Sequence, residues 1–144
     1  MIEKEFSEIP VGTWEKLKEG EDIAIIACGS TVYPALAAAD ELERVGIKTG
    51  VINGRFIKPI DCTLLLETAS HVKRILTVEE NALFGGFGSA VMEALSNEEL
   101  YIPVKSVGLP DRFITHGSQA RLRNNLGIDS AGIVRAVKEW LKKE

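Results

Sequence analysis

The chain has 144 residues, of which 45% are hydrophobic and 26% are charged, and its formal net charge is −4. The length fits one domain, and the composition is ordinary for a globular protein and argues against disorder. The acidic balance provides no basic surface for a nucleic acid, and no apolar run approaches the ~20 residues that a membrane span requires. We therefore expect a globular domain that binds neither nucleic acid nor a membrane.

The N-terminal residues and the cysteines indicate the compartment. Residues 1–6 are too acidic and too polar for a signal peptide. Cys28 and Cys62 are isolated in apolar surroundings, which favours reduced thiols over a disulfide. The two histidines, His71 and His116, do not neighbour a cysteine, so the spacing typical of a zinc site is missing. We expect a cytoplasmic protein.

Residues 1–20 have mixed charge and show little periodicity, which predicts a linker or arm before a domain spanning residues 21–144. Within the domain, apolar runs predict strands, and apolar stripes with capping residues predict helices. In chain order we predict a strand at 23–28, a helix at 30–45, a strand at 48–53, a helix at 59–71, a strand at 74–78, a helix at 86–95, a strand at 103–108, a short helix at 119–125 and a last helix at 129–143.

The alternation of strands and helices predicts the fold class. Residues 23–28 form a continuous apolar run, as expected for a strand buried on both faces of a parallel sheet. Helices between successive strands imply right-handed crossovers and layers of helices on the sheet. We therefore predict an α/β protein, a three-layer α/β/α sandwich around a mostly parallel sheet of about five strands.

Polar segments follow each predicted strand, where an open parallel sheet binds its ligands. These segments contain Gly29–Thr31, then Arg55 with Lys58, then Glu79, Glu80 and Asn81 with Gly85, Gly86, Phe87 and Gly88, and then Asp111, Arg112, His116 and Gly117. We take the last two groups as the candidate interface or anion site.

The three glycines at positions 85, 86 and 88 permit two interpretations. They precede a predicted helix, whose first backbone N–H groups form a natural anion site. They lack the Lys-Ser/Thr of a phosphate loop and the spacing of a dinucleotide fingerprint. The favoured interpretation is that the glycines allow unusual backbone angles and close packing of the helix on a strand.

Glu79 and Glu80 are adjacent, and neighbouring side chains of a strand point to opposite faces. They are therefore not expected to form a facing acid–base pair. We expect one carboxylate to point toward the end of the sheet and the other toward solvent or a partner, with a structural or interface role.

The loop histidine His116 lies near Asp111 and Arg112, and a histidine in such a place can transfer protons near neutral pH. No serine or cysteine is visibly paired with it, which favours a role in loop hydrogen bonds or at an interface. His71 is expected to cap the C-terminal end of its helix. A small-anion patch is the less favoured interpretation of five scattered cations, Arg55, Lys58, Arg112, Arg121 and Arg123.

Four runs of the chain together resemble a known family. They are residues 27–31, residues 53–61, residues 77–81 with 85–91, and Gly108-Leu-Pro-Asp-Arg-Phe-Ile-Thr-His-Gly117. Together they resemble the C-terminal domain of the transketolase family over residues 11–143. The glutamate pair and the GGFG element also occur in the beta subunits of 2-oxo acid dehydrogenases. The last run is most similar to the 1-deoxy-D-xylulose-5-phosphate synthases.

The resemblance implies an architectural role for this chain. In that family, preceding domains bind thiamine diphosphate and Mg²⁺ and supply the catalytic glutamate, so that role is not transferred to Glu79 or Glu80. We expect no catalytic, cofactor-binding or metal-binding residue in this chain. The whole protein would be a homodimer in which this domain packs on the preceding domains.

Two other functions stay open from the sequence. One is a regulatory module that binds a small anion at Gly85–Gly88 and the nearby arginines. The other is the C-terminal domain of a 2-oxo acid dehydrogenase beta subunit, which would dock a partner protein.

Overall fold

The computed structural model describes residues 8–142, which form five strands and five helices. The strands are β1 (Glu15–Lys18), β2 (Ile23–Ala27), β3 (Thr49–Asn53), β4 (Ile75–Ala82) and β5 (Val104–Leu109). The helices are α1 (Val32–Glu43), α2 (Cys62–His71), α3 (Phe87–Asn97), α4 (Gln119–Leu126) and α5 (Ser130–Leu141), and a short 3₁₀ turn, Gly29–Thr31, precedes α1.

The sheet has the order β1-β3-β2-β4-β5. Strands β2 to β5 are parallel, and β1 is antiparallel to β3 at one edge. All five residues of the central strand β2 are buried, as their unbroken apolar run predicts. The predicted α/β class and the mostly parallel sheet are confirmed.

Helices cover both faces of the sheet and create two hydrophobic cores. On one face, α1 and α5 pack on the sheet, and the buried alanines Ala35, Ala38 and Ala39 let α1 lie close to it. On the other face, α2 and α3 contribute Leu65, Phe87, Val91 and Leu95. The predicted three layers are therefore confirmed.

The predicted linker at residues 1–20 is wrong for its second half. Residues 15–18 form β1, which pairs with β3, and the preceding Trp14 is 4% exposed in a core. The backbone N–H of Trp14 donates to Oδ2 of Asp61 at 2.8 Å, and its indole ring lies edge-on to Phe87 at 5.7 Å. The domain therefore begins before residue 20. Residues 1–7 of the predicted linker lie outside the described residues.

The other element boundaries agree with the predicted ones within a few residues. The end of β4 differs most, and it affects the candidate site. Strand β4 continues to Ala82, whereas its apolar run ends at Val78. Glu79, Glu80 and Asn81 therefore lie inside the strand, where its register with β5 shifts between Val78 and Ala82. The predicted cap at the end of α2 is confirmed, because Nδ1 of His71 lies 2.7 Å from the carbonyl oxygen of Glu67.

Candidate functional site

The Glu79 carboxylate lies at the N-terminus of helix α3. Glu79 is fully buried, and its two oxygens accept hydrogen bonds from the backbone N–H groups of Phe87 at 2.7 Å and Gly88 at 2.9 Å. The N-cap residue, Gly86, has no side chain to do this. A carboxylate at this position is favoured by the helix dipole and by charge-assisted hydrogen bonds. The anion at this helix start is therefore supplied by the chain itself.

Each glycine of this loop is required either because neighbouring atoms leave no space for a Cβ atom or because its φ angle is positive. A Cβ atom on Gly86 would collide with the carbonyl oxygen of Ala82 and the carboxylate of Glu79. A Cβ atom on Gly88 would collide with the hydroxyl groups of Thr77 and Ser106. Gly85 has a φ of +73°, which favours glycine. These contacts support the packing interpretation of the GGFG element.

The Glu80 carboxylate has different partners from Glu79, as the strand geometry predicts. The hydroxyl of Ser30 donates to its Oε2 atom, and the Nε–H of Arg123 donates to its Oε1 atom at 2.6 Å. These bonds, that from Arg123 first and that from Ser30 second, hold the pKa of Glu80 below its usual value. Glu80 thus links the turn after β2 with helix α4. Because the two carboxylates have separate partners, Glu79 and Glu80 do not form a facing acid–base pair.

The Cys28 thiol lies beside this pair, at the end of β2. Burial first, and then the negative charges of Glu79 and Glu80, raise its pKa to about 11. A thiol with this pKa is protonated near neutral pH, whereas the thiolate is the nucleophilic form. Cys28 is therefore a packing residue and is unsuited to nucleophilic chemistry.

The second predicted group lies in the loop at residues 110–118. Asp111, Arg112, His116 and Gly117 are all exposed. Within residues 8–142, the side chains of Asp111, Arg112 and His116 make no hydrogen bond or ion pair, so His116 has no partner for proton transfer. Phe113, in the same loop, is 104% exposed. Asn81, from the first group, is also exposed, and its Oδ1 atom accepts from the N–H of Ala82.

Two of the five scattered cations, Arg55 and Arg123, have partners within the fold. Arg55 donates to the carbonyl oxygens of Thr13 and Trp14, at 3.2 and 3.0 Å, and so ties the segment before β1 to the loop after β3. Arg123 is paired with Glu80. These contacts count against the less favoured interpretation, an anion patch of all five cations, because two of its members are engaged within the fold.

A groove of about 570 Å³ lies away from these residues, between β1 and the amino ends of β2 and β3. Two of its cations are neutralised by neighbouring acids. Lys16 pairs with Glu67 at 2.8 Å, and Lys18 pairs with Asp40 at 2.6 Å. In the described part of the chain, no three His, Cys, Asp or Glu side chains are grouped so as to hold a metal ion. Nor does any helix between residues 8 and 142 have the length and apolarity to cross a bilayer.

Comparison with known proteins gives the family. The profile described as the transketolase C-terminal domain matches residues 12–133. The chain belongs to the transketolase C-terminal domain family. This domain is similar to a solved structure described as a split-gene transketolase in an inactive beta4 tetramer, with a TM-score of 0.86 and 39% identity over 92% of this chain and 43% of that one. A transketolase mutant from Pichia stipitis has a TM-score of 0.62 and 25% identity over 89% of this chain and 18% of that one.

Curated relatives connect this transketolase C-terminal domain with one branch of the family. It is 52% identical to 1-deoxy-D-xylulose-5-phosphate synthase 1 of Geobacter sulfurreducens over 97% of this chain and 22% of the relative. It is 49% identical to the corresponding synthase of Aquifex aeolicus over 95% of this chain and 22% of the relative. The chain thus spans about a fifth of the length of these relatives and matches their C-terminal part. The resemblance stated from the sequence is confirmed.

Two contacts of the site have no local signal in the sequence. Glu79 precedes the helix that it caps by eight residues, and Arg123 lies 43 residues from Glu80. A capping pattern is recognised within about one helical turn, so neither contact was predicted.

Proposed function

We propose that this chain is the C-terminal domain of a thiamine diphosphate-dependent 1-deoxy-D-xylulose-5-phosphate synthase, and that its role is architectural. The whole protein would condense pyruvate with glyceraldehyde 3-phosphate and release CO₂, as a transferase of the transketolase type. Its product would serve the synthesis of isoprenoid precursors, thiamine and pyridoxal phosphate. The observation that carries the proposal is the 52% identity over nearly the whole chain to the C-terminal part of such a synthase.

The geometry of the glutamate pair supports the architectural role. Glu79 caps α3 from within the core, and Glu80 joins the turn after β2 to α4. Both carboxylates are therefore engaged in holding the carboxyl end of the sheet together. A regulatory module that binds a small anion is less well supported, because the N–H groups of Phe87 and Gly88 already have an acceptor.

The described residues do not fit thiamine diphosphate and Mg²⁺. A diphosphate at the start of α3 would compete with Glu79 for the same two N–H groups. The described acids form no cluster for a divalent ion. We assign both groups to the preceding part of the whole protein and derive no reaction step on this chain. The whole protein would act in the cytoplasm as a homodimer.

The test is an assay of 1-deoxy-D-xylulose 5-phosphate formation from pyruvate and glyceraldehyde 3-phosphate, with thiamine diphosphate and Mg²⁺ present. This chain alone is expected to form no product. A joined synthase, in which the preceding part of the Geobacter sulfurreducens synthase continues into residues 8–144 of this chain, is expected to form it. Product formation by the chain alone would contradict the architectural role, and an inactive joined synthase would contradict the assignment to this enzyme.

A further inference from the structure

Exposed apolar side chains are concentrated at one end of the sheet. Among residues 8–142, ten large apolar side chains are exposed. Four of them belong to β1, the turn after α1, the middle of α3 and the segment before β5, and they are Leu17, Val45, Met92 and Tyr101. The other six lie in segments at the carboxyl ends of the parallel strands or before β1, and they are Ile9, Val11, Tyr33, Ile57, Phe84 and Phe113. We call these six residues the carboxyl-end surface.

The chain enters the domain at the same end. Strand β1 is antiparallel to β3, and Glu15 pairs with Asn53, the last residue of β3. Residues 8–14 therefore lie beside the carboxyl end of the sheet. There the backbone N–H of Trp14 donates a hydrogen bond to Asp61, and the Arg55 side chain donates one to the carbonyl oxygen of Thr13.

All three aromatic members of the surface are highly exposed. Phe113 is 104% exposed, Phe84 is 79% exposed and Tyr33 is 75% exposed. Aromatic side chains are enriched at the centres of protein interfaces, whereas exposed apolar residues on monomers are normally scattered. The unpaired polar side chains of Asp111, Arg112 and His116 flank Phe113 in the chain, as the polar rim of an interface would. The loop that carries them precedes α4, which the Glu80–Arg123 pair holds to the sheet.

We propose that the carboxyl-end surface is the docking surface for the preceding part of the same polypeptide. This inference rests on the proposed function, because the curated relatives extend well beyond the fifth of their length that this chain matches. The position of residues 8–14 selects this occupant over a second copy of the domain. Docking removes Phe84 and Phe113 from water and leaves Tyr101, which precedes β5 at the opposite end of the sheet, exposed.

Hydroxyl-radical footprinting of the native side chains tests the surface. Oxidation of Phe84, Phe113, Tyr33 and Tyr101 is measured by mass spectrometry in this chain alone and in the joined synthase. Oxidation of Phe84 and Phe113 should fall by about fivefold or more on joining, as expected when interface side chains lose contact with water. Tyr101, which is 88% exposed in this chain, is the internal control and should be oxidised equally in both.

The outcomes separate this inference from the proposed function. An active joined synthase in which Phe84 and Phe113 stay fully reactive would overturn the docking surface and leave the function standing. Protection of both residues in an inactive protein would support the docking surface and count against the function. Protection in the chain alone at high concentration would assign the surface to a second copy and would also overturn the inference.

A pair of double variants provides a second readout. Phe84→Ser with Phe113→Ser should make the joined synthase lose its single cooperative thermal transition and unfold in two steps. The control, Val45→Ser with Tyr101→Ser, removes two exposed apolar groups elsewhere and should keep one transition. Identical unfolding of the two double variants would contradict the proposal.

Discussion

The Nε–H group of Arg123 donates a 2.6 Å hydrogen bond to Oε1 of Glu80, and this ion pair fastens helix α4 to strand β4. Helix α4 buries none of its own residues. Among the described residues, no other side-chain hydrogen bond or ion pair connects α4 with the sheet. We infer that the position of α4 relative to the sheet depends on this one carboxylate, whereas the side-chain amide of Asn124 in α4 donates to Asp129, the N-cap of α5.

Replacing Glu80 should therefore loosen α4 without unfolding the domain. In Glu80→Gln, amide hydrogen exchange in α4 should become faster, whereas exchange in the central strand β2 should not change, because β2 is stabilised by burial on both faces. Glu41→Gln, which removes the partner of Lys138 at 3.8 Å, is the matched control and should leave α4 unaffected. Equal exchange of α4 in wild type and Glu80→Gln would show that other contacts hold the helix.

The same carboxylate predicts a dependence on pH. Its pKa is lowered in the folded chain by the bonds from Arg123 and Ser30. A depressed pKa contributes stability above the pKa of the unfolded state, about 4.3 for glutamate, and this stability is lost as the pH falls through the folded value. In urea unfolding, wild type should exceed Glu80→Gln by a constant amount above pH 6, and the difference should shrink below about pH 4. A difference that grows with acidity would contradict the assignment.

Glu79 should matter more for stability than any exposed acid of the chain. In Glu79→Ala, the buried N–H groups of Phe87 and Gly88 lose their acceptor, which should cost about 2 to 5 kcal/mol of unfolding free energy. Glu79→Gln keeps one acceptor oxygen and should cost less, about 1 to 3 kcal/mol. Urea unfolding measures both, and Glu98→Gln, at an exposed position, is the control. Unchanged stability of Glu79→Ala would contradict the capping role.

The two cysteines should differ strongly in reactivity. With a pKa of about 11, Cys28 is a thiolate in roughly one molecule in a thousand at pH 8. Cys62 is exposed and should react first with a thiol reagent. Cys28→Ser and Cys62→Ser leave one thiol each, so the two rates can be measured separately by mass spectrometry. Equal rates in the two variants would contradict the half-buried, protonated state of Cys28.

The layers of the fold could be predicted from the sequence because its central strand is apolar along its length and amphipathic helices alternate with the strands. The apolar run at Ile23–Ala27 predicts a strand buried on both faces, and the stripes of small and branched residues predict helices. Strand β1 could not be predicted from its sequence. It is an edge strand of only four residues, EKLK, and three of the four are charged, so the sequence shows no apolar pattern that indicates burial. Its place depends on pairing with β3 and on the buried Trp14 beside it.

The separate roles of Glu79 and Glu80 could be predicted from the sequence, and the partners of the two carboxylates could not. The separation of Glu79 and Glu80 follows from strand geometry, which works on adjacent residues. The partners of these carboxylates lie across a loop or on another helix, so they depend on the packed fold. The extension of β4 to Ala82 also depends on packing, because the N–H of Leu83 donates to the carbonyl of Leu109 on the neighbouring strand.

The central claim is that Glu79 holds the domain together and takes no part in the reaction. The most direct test is Glu79→Gln in the joined synthase, with turnover and thermal unfolding measured on the same purified protein. We predict a lower unfolding temperature and a smaller yield of assembled enzyme, with turnover per assembled enzyme close to that of the unmodified joined synthase. A fully assembled enzyme with an unchanged unfolding temperature and abolished turnover would contradict the claim.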